Sequence, residues 1–360
     1  MNRSTSFVLE SLPDIDALEK LWRGFDDGGA HSFFASWIWL GTLLRTMERR
    51  PYLVKAMHGS ELAGLALLSV RQRRLRGLLP IRQAWFNAGG DAQIDGIMIE
   101  HNGFALPSGH NAPIWPAFLR WFAQEGFADE LIVPGMEADA GFDGNLLMLE
   151  RHNAGYRTAL RGLGPDGIAS AISSNARQQL RRSIRDYGET LTLDRAPDAA
   201  TALAYFAELK ELHVRSWTRR GRRHAFANPF FETFHRALIA TGGASVDLLR
   251  VSAGSRVIGY LYNFRRNGVV SNYQSGFDDE APGFRPGYVC HALAMEHYAR
   301  AGEGTYDFLA GANRLKQSFG IERYDLTWRH YRKPTFGFRA EHAARKAVHL
   351  AKRFAGPRGK

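Results

Sequence analysis

The sequence predicts a mixed α/β fold in two domains, and three observations predict it. Apolar residues recur every three or four positions in some segments and every second position in others, and the two patterns alternate along the chain. The 360 residues correspond to two domains at roughly 100 to 200 residues each, large enough to bury a core without staples. The hydrophobic fraction of 45% and charged fraction of 23% belong to soluble globular chains, which excludes wholesale disorder and a fibrous repeat. The single cysteine, Cys290, cannot form an intrachain disulfide or a cysteine-based zinc site. The opening MNRSTSFVLESLPD lacks the basic-then-apolar pattern of a secretory signal, so a reducing cytoplasm is expected. The longest apolar run, Leu62 to Val70, falls short of the roughly 18 residues a membrane span needs.

In the first half, Ile15 to Phe25 and Ser36 to Met47 carry helical spacing, with Ser36 as the expected cap of the second. The segment YLVKAM, the turn HGSE and LAGLALLSV then read as a hairpin of two half-buried strands, joined by a strand at Ile81 to Asn87. A helix is expected over Ala112 to Gln124, with Pro113 in its first turn, and short strands at Glu130 to Val133 and Leu146 to Glu150.

The second half begins after the loop at 161–167 with an arginine-dense helix over Ser170 to Tyr187, a strand from Glu189 to Leu193, and a long helix from Ala199 to about Arg219. Three strands in a meander follow, Val246 to Val251, Val257 to Phe264 and Val269 to Ser275. The Asn267-Gly268 pair favours the type I′ turn that joins the last two. A helix from Tyr288 to Ala301 ends at Gly302. Thr305 to Leu309 reads as a buried strand, Ala312 to Phe319 as a short helix, Leu326 to Tyr331 as a strand and Ala340 to Phe354 as a basic amphipathic helix. The expected division is 1–160, 161–338 and a basic tail at 339–360.

The net charge of +11 is uneven, with 15 basic and 18 acidic residues in 1–160 against 32 and 18 in 161–360. A field of this kind attracts phosphates, acidic carrier proteins, nucleic acid or anionic lipid heads without choosing among them.

Four blocks in the second half give a more specific signal. They are Ser174-Asn175-Ala176-Arg177 with Leu180-Arg181-Arg182; Leu212-His213 with Trp217 and Gly221; Asn272 through Asp278 followed by Pro286-Gly287; and Tyr306-Asp307-Phe308-Leu309-Ala310-Gly311 followed by Lys316. Over roughly 165–335 the chain resembles the GNAT-superfamily acyltransferase domain of CelD-type cellulose and exopolysaccharide biosynthesis proteins, which is related to the Fem-type peptidyltransferases. The first half is similar only in its order of elements. The sequence departs from the family pattern at Leu315, at Gln317-Ser318-Phe319, and at Phe277, where a tyrosine is usual. The pyrophosphate-loop signature is also not intact in Gly283-Phe284-Arg285-Pro286-Gly287-Tyr288. The resemblance implies two GNAT-like halves in tandem, the first degenerate and facing the acceptor, the second binding the acyl donor.

Acyl transfer from a thioester to an amine requires a deprotonated amine, a polarised carbonyl and a held phosphopantetheine arm. Asp307, an acid on an apolar strand, and Lys316, on the helix after it, are the expected catalytic pair, with the phenol of Tyr273 beside them. Arg285, Gly287 and Tyr288 at a helix start, together with Gly311 and Arg181, are the expected donor-binding groups. Substrate contacts are assigned to His213, Trp217, Gln274, Asp91 and Asp95. Each has a plain structural alternative: a buried histidine, a turn aspartate, a core aromatic. No paired-ligand or His-x-Glu motif is present, and no metal is expected.

These residues predict an N-acyltransferase moving an acetyl or fatty acyl group from acyl-CoA or acyl-carrier protein, with no permanently bound cofactor, to a small-molecule or glycolipid amine. Two other readings stay open. One is a Fem-type transferase using aminoacyl-tRNA. The other is a nonenzymatic RNA or membrane-surface adaptor using Arg177 to Arg185, the stretch RSWTRRGRRH and the tail, which would hold the protein peripherally at the inner membrane surface.

Overall fold

The computed structural model describes residues 5–109, 114–137, 146–163, 167–279 and 284–342. The expected helix over Ala340 to Phe354, and with it the membrane contact assigned to the tail, lies almost wholly outside the described residues, as does Pro113.

Among the described residues, one twelve-stranded sheet runs through both halves. The first half contributes β1 (Thr5–Ser11), α1 (Ile15–Asp26), α2 (Trp37–Thr46), β2 (Tyr52–His58), β3 (Glu61–Leu75), β4 (Leu79–Phe86), α3 (Ile114–Gln124), β5 (Glu130–Glu137) and β6 (Leu147–Ala159). The second contributes α4 (Ser174–Tyr187), β7 (Leu191–Arg195), α5 (Ala199–Arg219), α6 (Pro229–Thr241), β8 (Val246–Ala253), β9 (Arg256–Arg266), β10 (Val269–Phe277), α7 (Pro286–Arg300), β11 (Thr305–Ala310), α8 (Arg314–Phe319) and β12 (Glu322–Arg332). The sheet order is β1-β2-β3-β4-β5-β12-β6-β11-β10-β9-β8-β7.

That order reads the same from either edge, provided the halves exchange their last strands. β6 leaves the first half to lie against β11, and β12 leaves the second to lie against β5. The exchanged strands pair with each other from Glu322↔Arg157 to Arg332↔Leu147 and form the centre of the sheet. Residue 160 therefore closes the sequence of the first half but not its hydrogen bonding.

In each half one neighbouring pair is parallel and short: β4 with β5 over three residues ending at Trp85↔Ile132, and β10 with β11 over three ending at Ser271↔Asp307. Beyond those positions the strands part.

Alternation along the strands sends successive residues to opposite faces. Leu53, Leu65 and Leu67, with Tyr260, Tyr262 and Phe264, meet α1, α2, α5 and α6 in one core that belongs to both halves. Val54, Ala66 and Leu68 face α3 on the other side. Leu249, Val251 and Leu261 face α4 and α7 there. The shared core fixes the two halves relative to each other, and this fixes the cleft between them.

Several local expectations shift. Ser36 sits at the cap position of α2, yet its hydroxyl donates to the Phe33 carbonyl instead of accepting from the helix. α4 starts at Ser174, capped by Ser173, after a separate turn at Gly167–Ser170. β5 runs through Pro134 and Gly135 to Glu137, past the expected end at Val133, because Gly135 takes a left-handed φ of 67° there.

Candidate active site

The site is built where β10 and β11 part. A strand that leaves its neighbour exposes unpaired backbone groups, and these need other partners if they are buried. On β11 three amides and three carbonyls find them. The amide of Leu309, whose φ is 58°, donates to Asp307 Oδ1 at 2.8 Å. The Ala310 amide donates to Glu100 Oε2 at 2.7 Å, and the Gly311 amide to the Ala154 carbonyl at 2.9 Å. The Lys316 ammonium donates to the carbonyls of Phe308, Leu309 and Ala310 at 2.5, 3.3 and 2.7 Å. Two carboxylates and one ammonium thus hold β11 away from β10 and keep the edge of β10 uncovered by β11.

Asp307, Arg157 and Glu322 are register partners on adjacent strands and share one face of the sheet. On that face lies a cleft of about 810 Å³, lined from the first half by His101, Met136 and Glu137 and from the second by Ser271, Asp307 and Glu322. His101 reaches across the halves: its Nε2 lies 2.8 Å from Asp307 Oδ2 and its Nδ1 3.2 Å from Glu137 Oε2. Tyr324 donates to Asp307 Oδ1 at 2.7 Å. The Tyr324 ring lies on Gly155, where a Cβ would stand 2.3 Å from its Cζ. Glu137 and Glu322 both pair with Arg157, at 3.2 and 2.5 Å.

The charges follow from these contacts. Burial works against a charged His101, but the hydrogen bonds to Asp307 and Glu137 outweigh it and raise the imidazole to about 9, so it is an imidazolium at neutral pH. Its hydrogen bond holds the Glu137 carboxyl below the usual range. Burial, and after it the charge of Asp307, pushes the Tyr324 phenol far up and keeps it a donor. Burial pushes the Glu100 carboxyl up to about 7 and pulls the Lys316 ammonium down.

The other sequence-predicted residues fall into three groups. At the start of α7, Arg285 is exposed, hydrogen-bonds Gln179 of α4 at 2.5 Å and covers the Tyr288 ring at 5.7 Å. This link brings the arginine-bearing helix that holds Arg181 beside the helix N-terminus, whose first amides have no intrahelical acceptor. A Cβ on Gly287 would stand 2.7 Å from Leu315 Cδ1, while the Tyr288 hydroxyl bonds Ser318 at 2.9 Å.

On the helical side of the second half, His213 Nδ1 lies 3.0 Å from the Ser275 carbonyl, to which it donates, with its ring stacked on Trp217 at 5.1 Å. Its Nε2 is buried without a partner, and burial lowers its pKa. Gln274 turns its side-chain oxygen to the Ser275 amide, and the Tyr273 hydroxyl is buried without a partner among Phe34, Trp39 and Phe231.

Asp91 and Asp95 stand apart from Asp307. Asp91 is exposed and accepts from the Gln93 amide; Asp95 lines a separate cavity of about 550 Å³ with Trp85 and Trp328. Burial raises the Asp95 carboxyl to about 6.

His101, Glu137, Arg157 and Tyr324 are the residues that sequence reasoning missed. Among the described residues, no group of three or more His, Cys, Asp or Glu is placed to hold a metal ion, and no helix is long and apolar enough to cross a membrane.

A short parallel strand pair that parts occurs in each half across the strand exchange, and in the second half a helix N-terminus lies behind the parting and Asp307 stands at its apex, an architecture of two tandem GNAT-like halves. Residues 174–317 match the family of the acetyltransferase (GNAT) domain, so the chain carries a GNAT-superfamily domain and is an acyltransferase by that domain. Acyl-CoA is the usual cosubstrate of that family. The fold is similar to that of FemX, at 12% identity and a TM-score of 0.56 over 90% of this chain and 96% of that one. It is similar also to a conserved protein of unknown function from Bacteroides thetaiotaomicron VPI-5482, at 8% identity and a TM-score of 0.53 over 91% and 100%. No curated protein matches the sequence.

Proposed function

We propose that this protein transfers an acyl group from a phosphopantetheine thioester, acyl-CoA or acyl-carrier protein, to the primary amine of a small-molecule or glycolipid acceptor. The observation that carries the reading is the position of Asp307: it is the last paired residue before β10 and β11 part, and its carboxylate opens on a cleft lined by both halves. The thioester lies in the parting with its phosphates at Arg285, Arg181 and the α7 N-terminus, where amides and guanidinium favour an anion. The acceptor enters from the cleft, where Asp307 and Glu137 attract its ammonium. The nitrogen attacks the thioester carbonyl carbon and the C–S bond breaks as the amide bond forms. One proton leaves the ammonium to a carboxylate before the attack, and the nitrogen's second proton passes to the departing thiolate. The imidazolium of His101, with its two nitrogens on Asp307 and Glu137, holds both carboxylates in place, and Tyr324 orients Asp307.

The likeness of the four sequence blocks to CelD-type proteins supports an envelope or exopolysaccharide sugar as acceptor. A Fem-type reading, with aminoacyl-tRNA as donor, is supported by the similarity to FemX over both halves. Incubation of the purified protein with labelled acetyl-CoA, long-chain acyl-CoA, acyl-carrier protein and aminoacyl-tRNA separates the two. Saturable binding and acyl transfer from one of the thioesters supports the proposal; binding of tRNA alone overturns it. Indifferent, steeply salt-sensitive binding of any polyanion would instead favour the adaptor.

A further inference from the structure

The first half has its own parting, between β4 and β5, and it is filled. Segment Ile99 to Gly103 is threaded into it: the Asn102 amide donates to the Gly135 carbonyl at 2.9 Å, its side-chain amide to the Phe86 carbonyl at 3.0 Å, and Asn87 to Asn102 Oδ1 at 2.9 Å and the Gly103 carbonyl at 2.8 Å. The fit is close enough that a Cβ on Gly135 would lie 2.2 Å from the Ile99 carbonyl. No room is left there for a pantetheine arm. What the segment does instead is project the two residues between Ile99 and Asn102 toward the second half. His101 goes to Asp307, and Glu100, only 4% exposed, goes to the Ala310 amide on the parted end of β11.

Resting on the acyl-transfer reading, we infer that Glu100 is the carboxylate that takes the proton from the acceptor amine, lent to the second half's site by the plugged slot of the first. Its position sets it on the β11 side of the parting. The groups facing it are Asp307 from β11, Lys316 from α8, Tyr273 from β10, Tyr324 from β12 and its own neighbour His101. Asp307 is less suited to the task, because its two oxygens already accept from Leu309, Tyr324 and His101. Glu100 accepts one backbone amide, and burial gives it the proton affinity of a base that works near neutral pH. In the transfer one proton moves from the acceptor ammonium to a Glu100 oxygen before the N–C bond forms, and the nitrogen's second proton passes to the departing thiolate.

E100Q keeps an oxygen for the Ala310 amide and removes the base. With acetyl-CoA and D-glucosamine as probes, we expect turnover to fall at least tenfold, acetyl-CoA affinity to stay within about twofold, and the rising limb of the pH profile near 7 to vanish. Wild-type turnover and an unchanged limb in E100Q would overturn the assignment. A second measurement does not depend on turnover. Infrared difference spectra of the wild type should show a buried carboxyl titrating near pH 7, absent in E100Q, with its midpoint shifted by D-glucosamine. If no carboxyl titrates there, or its midpoint ignores the amine, Glu100 is structural. Failure of the wild type to use any thioester, with the amine-sensitive titration intact, would count against the donor reading and not against Glu100.

Discussion

His101 and Asp307, one from each half and 206 positions apart in sequence, meet at 2.8 Å with Glu137 on the far side of the imidazole. This contact joins the plugged slot of the first half to the open parting of the second. It has a pH signature.

The folded imidazole is raised to about 9, above its ordinary value of roughly 6.5 in an unfolded chain. Its contribution to stability is therefore fully present below about pH 6.5, declines above it, and is gone once pH passes about 9. Denaturant titrations at pH 6, 7.5 and 9.5 should show stability falling in this order. H101Q should flatten the dependence, and an identical slope in wild type and variant would contradict the pairing.

The sequence predicts Lys316 as the partner of Asp307 in a catalytic pair. Its ammonium donates to three carbonyls of β11. K316M would leave those carbonyls without their donor, so a loss of at least about 2 kcal/mol of stability is expected, together with weakened donor binding as β11 relaxes toward β10. Unchanged thermal stability with weakened binding alone would give Lys316 a direct ligand role.

Tyr324 can lie flat under Asp307 only because residue 155 has no side chain. G155A should displace the ring and lower turnover about as much as Y324F, which removes the hydroxyl alone. A G155A enzyme as active as the wild type would show that Tyr324 does not orient the carboxylate.

Because β6 and β12 are exchanged, neither 5–160 nor 161–342 holds a complete sheet. Each fragment expressed alone should aggregate, and the two expressed together should assemble into one soluble complex. A monomeric, cooperatively folding fragment 161–342 would contradict the exchange.

The elements set by local chemistry were legible in the sequence. The β8-β9-β10 meander appears where predicted, and Asn267 and Gly268 take the left-handed φ values of 52° and 74° that the turn demands. The strand carrying Asp307 and the helix carrying Lys316 were both placed, and the two residues do converge on one end of β11. β1 and α6 escaped notice, the first within the opening segment and the second behind the RSWTRRGRRH stretch. The sequence pattern of β6 ends at Glu150, because its second part, arginine, asparagine and glycine among short apolar residues, has no clear period. The strand exchange is a pairing between segments more than 160 residues apart, and no local pattern encodes it. His101, Glu137, Arg157 and Tyr324 acquire their meaning only through that pairing. As single polar residues at a turn or along a strand they carry no signal.

The central claim is that acyl transfer occurs at Asp307, and intact-mass detection of acyl transfer by wild type and D307N tests it most directly. Thioester donors are offered with a panel of amino sugars and amino lipids under single-turnover conditions. The account predicts that the wild type acylates one amine class from one thioester donor. D307N, which keeps the side chain's size but not its charge, should bind the same donor with nearly the same affinity and transfer at least tenfold more slowly, about 1.4 kcal/mol of barrier. Transfer by a folded D307N at the wild-type rate would contradict it.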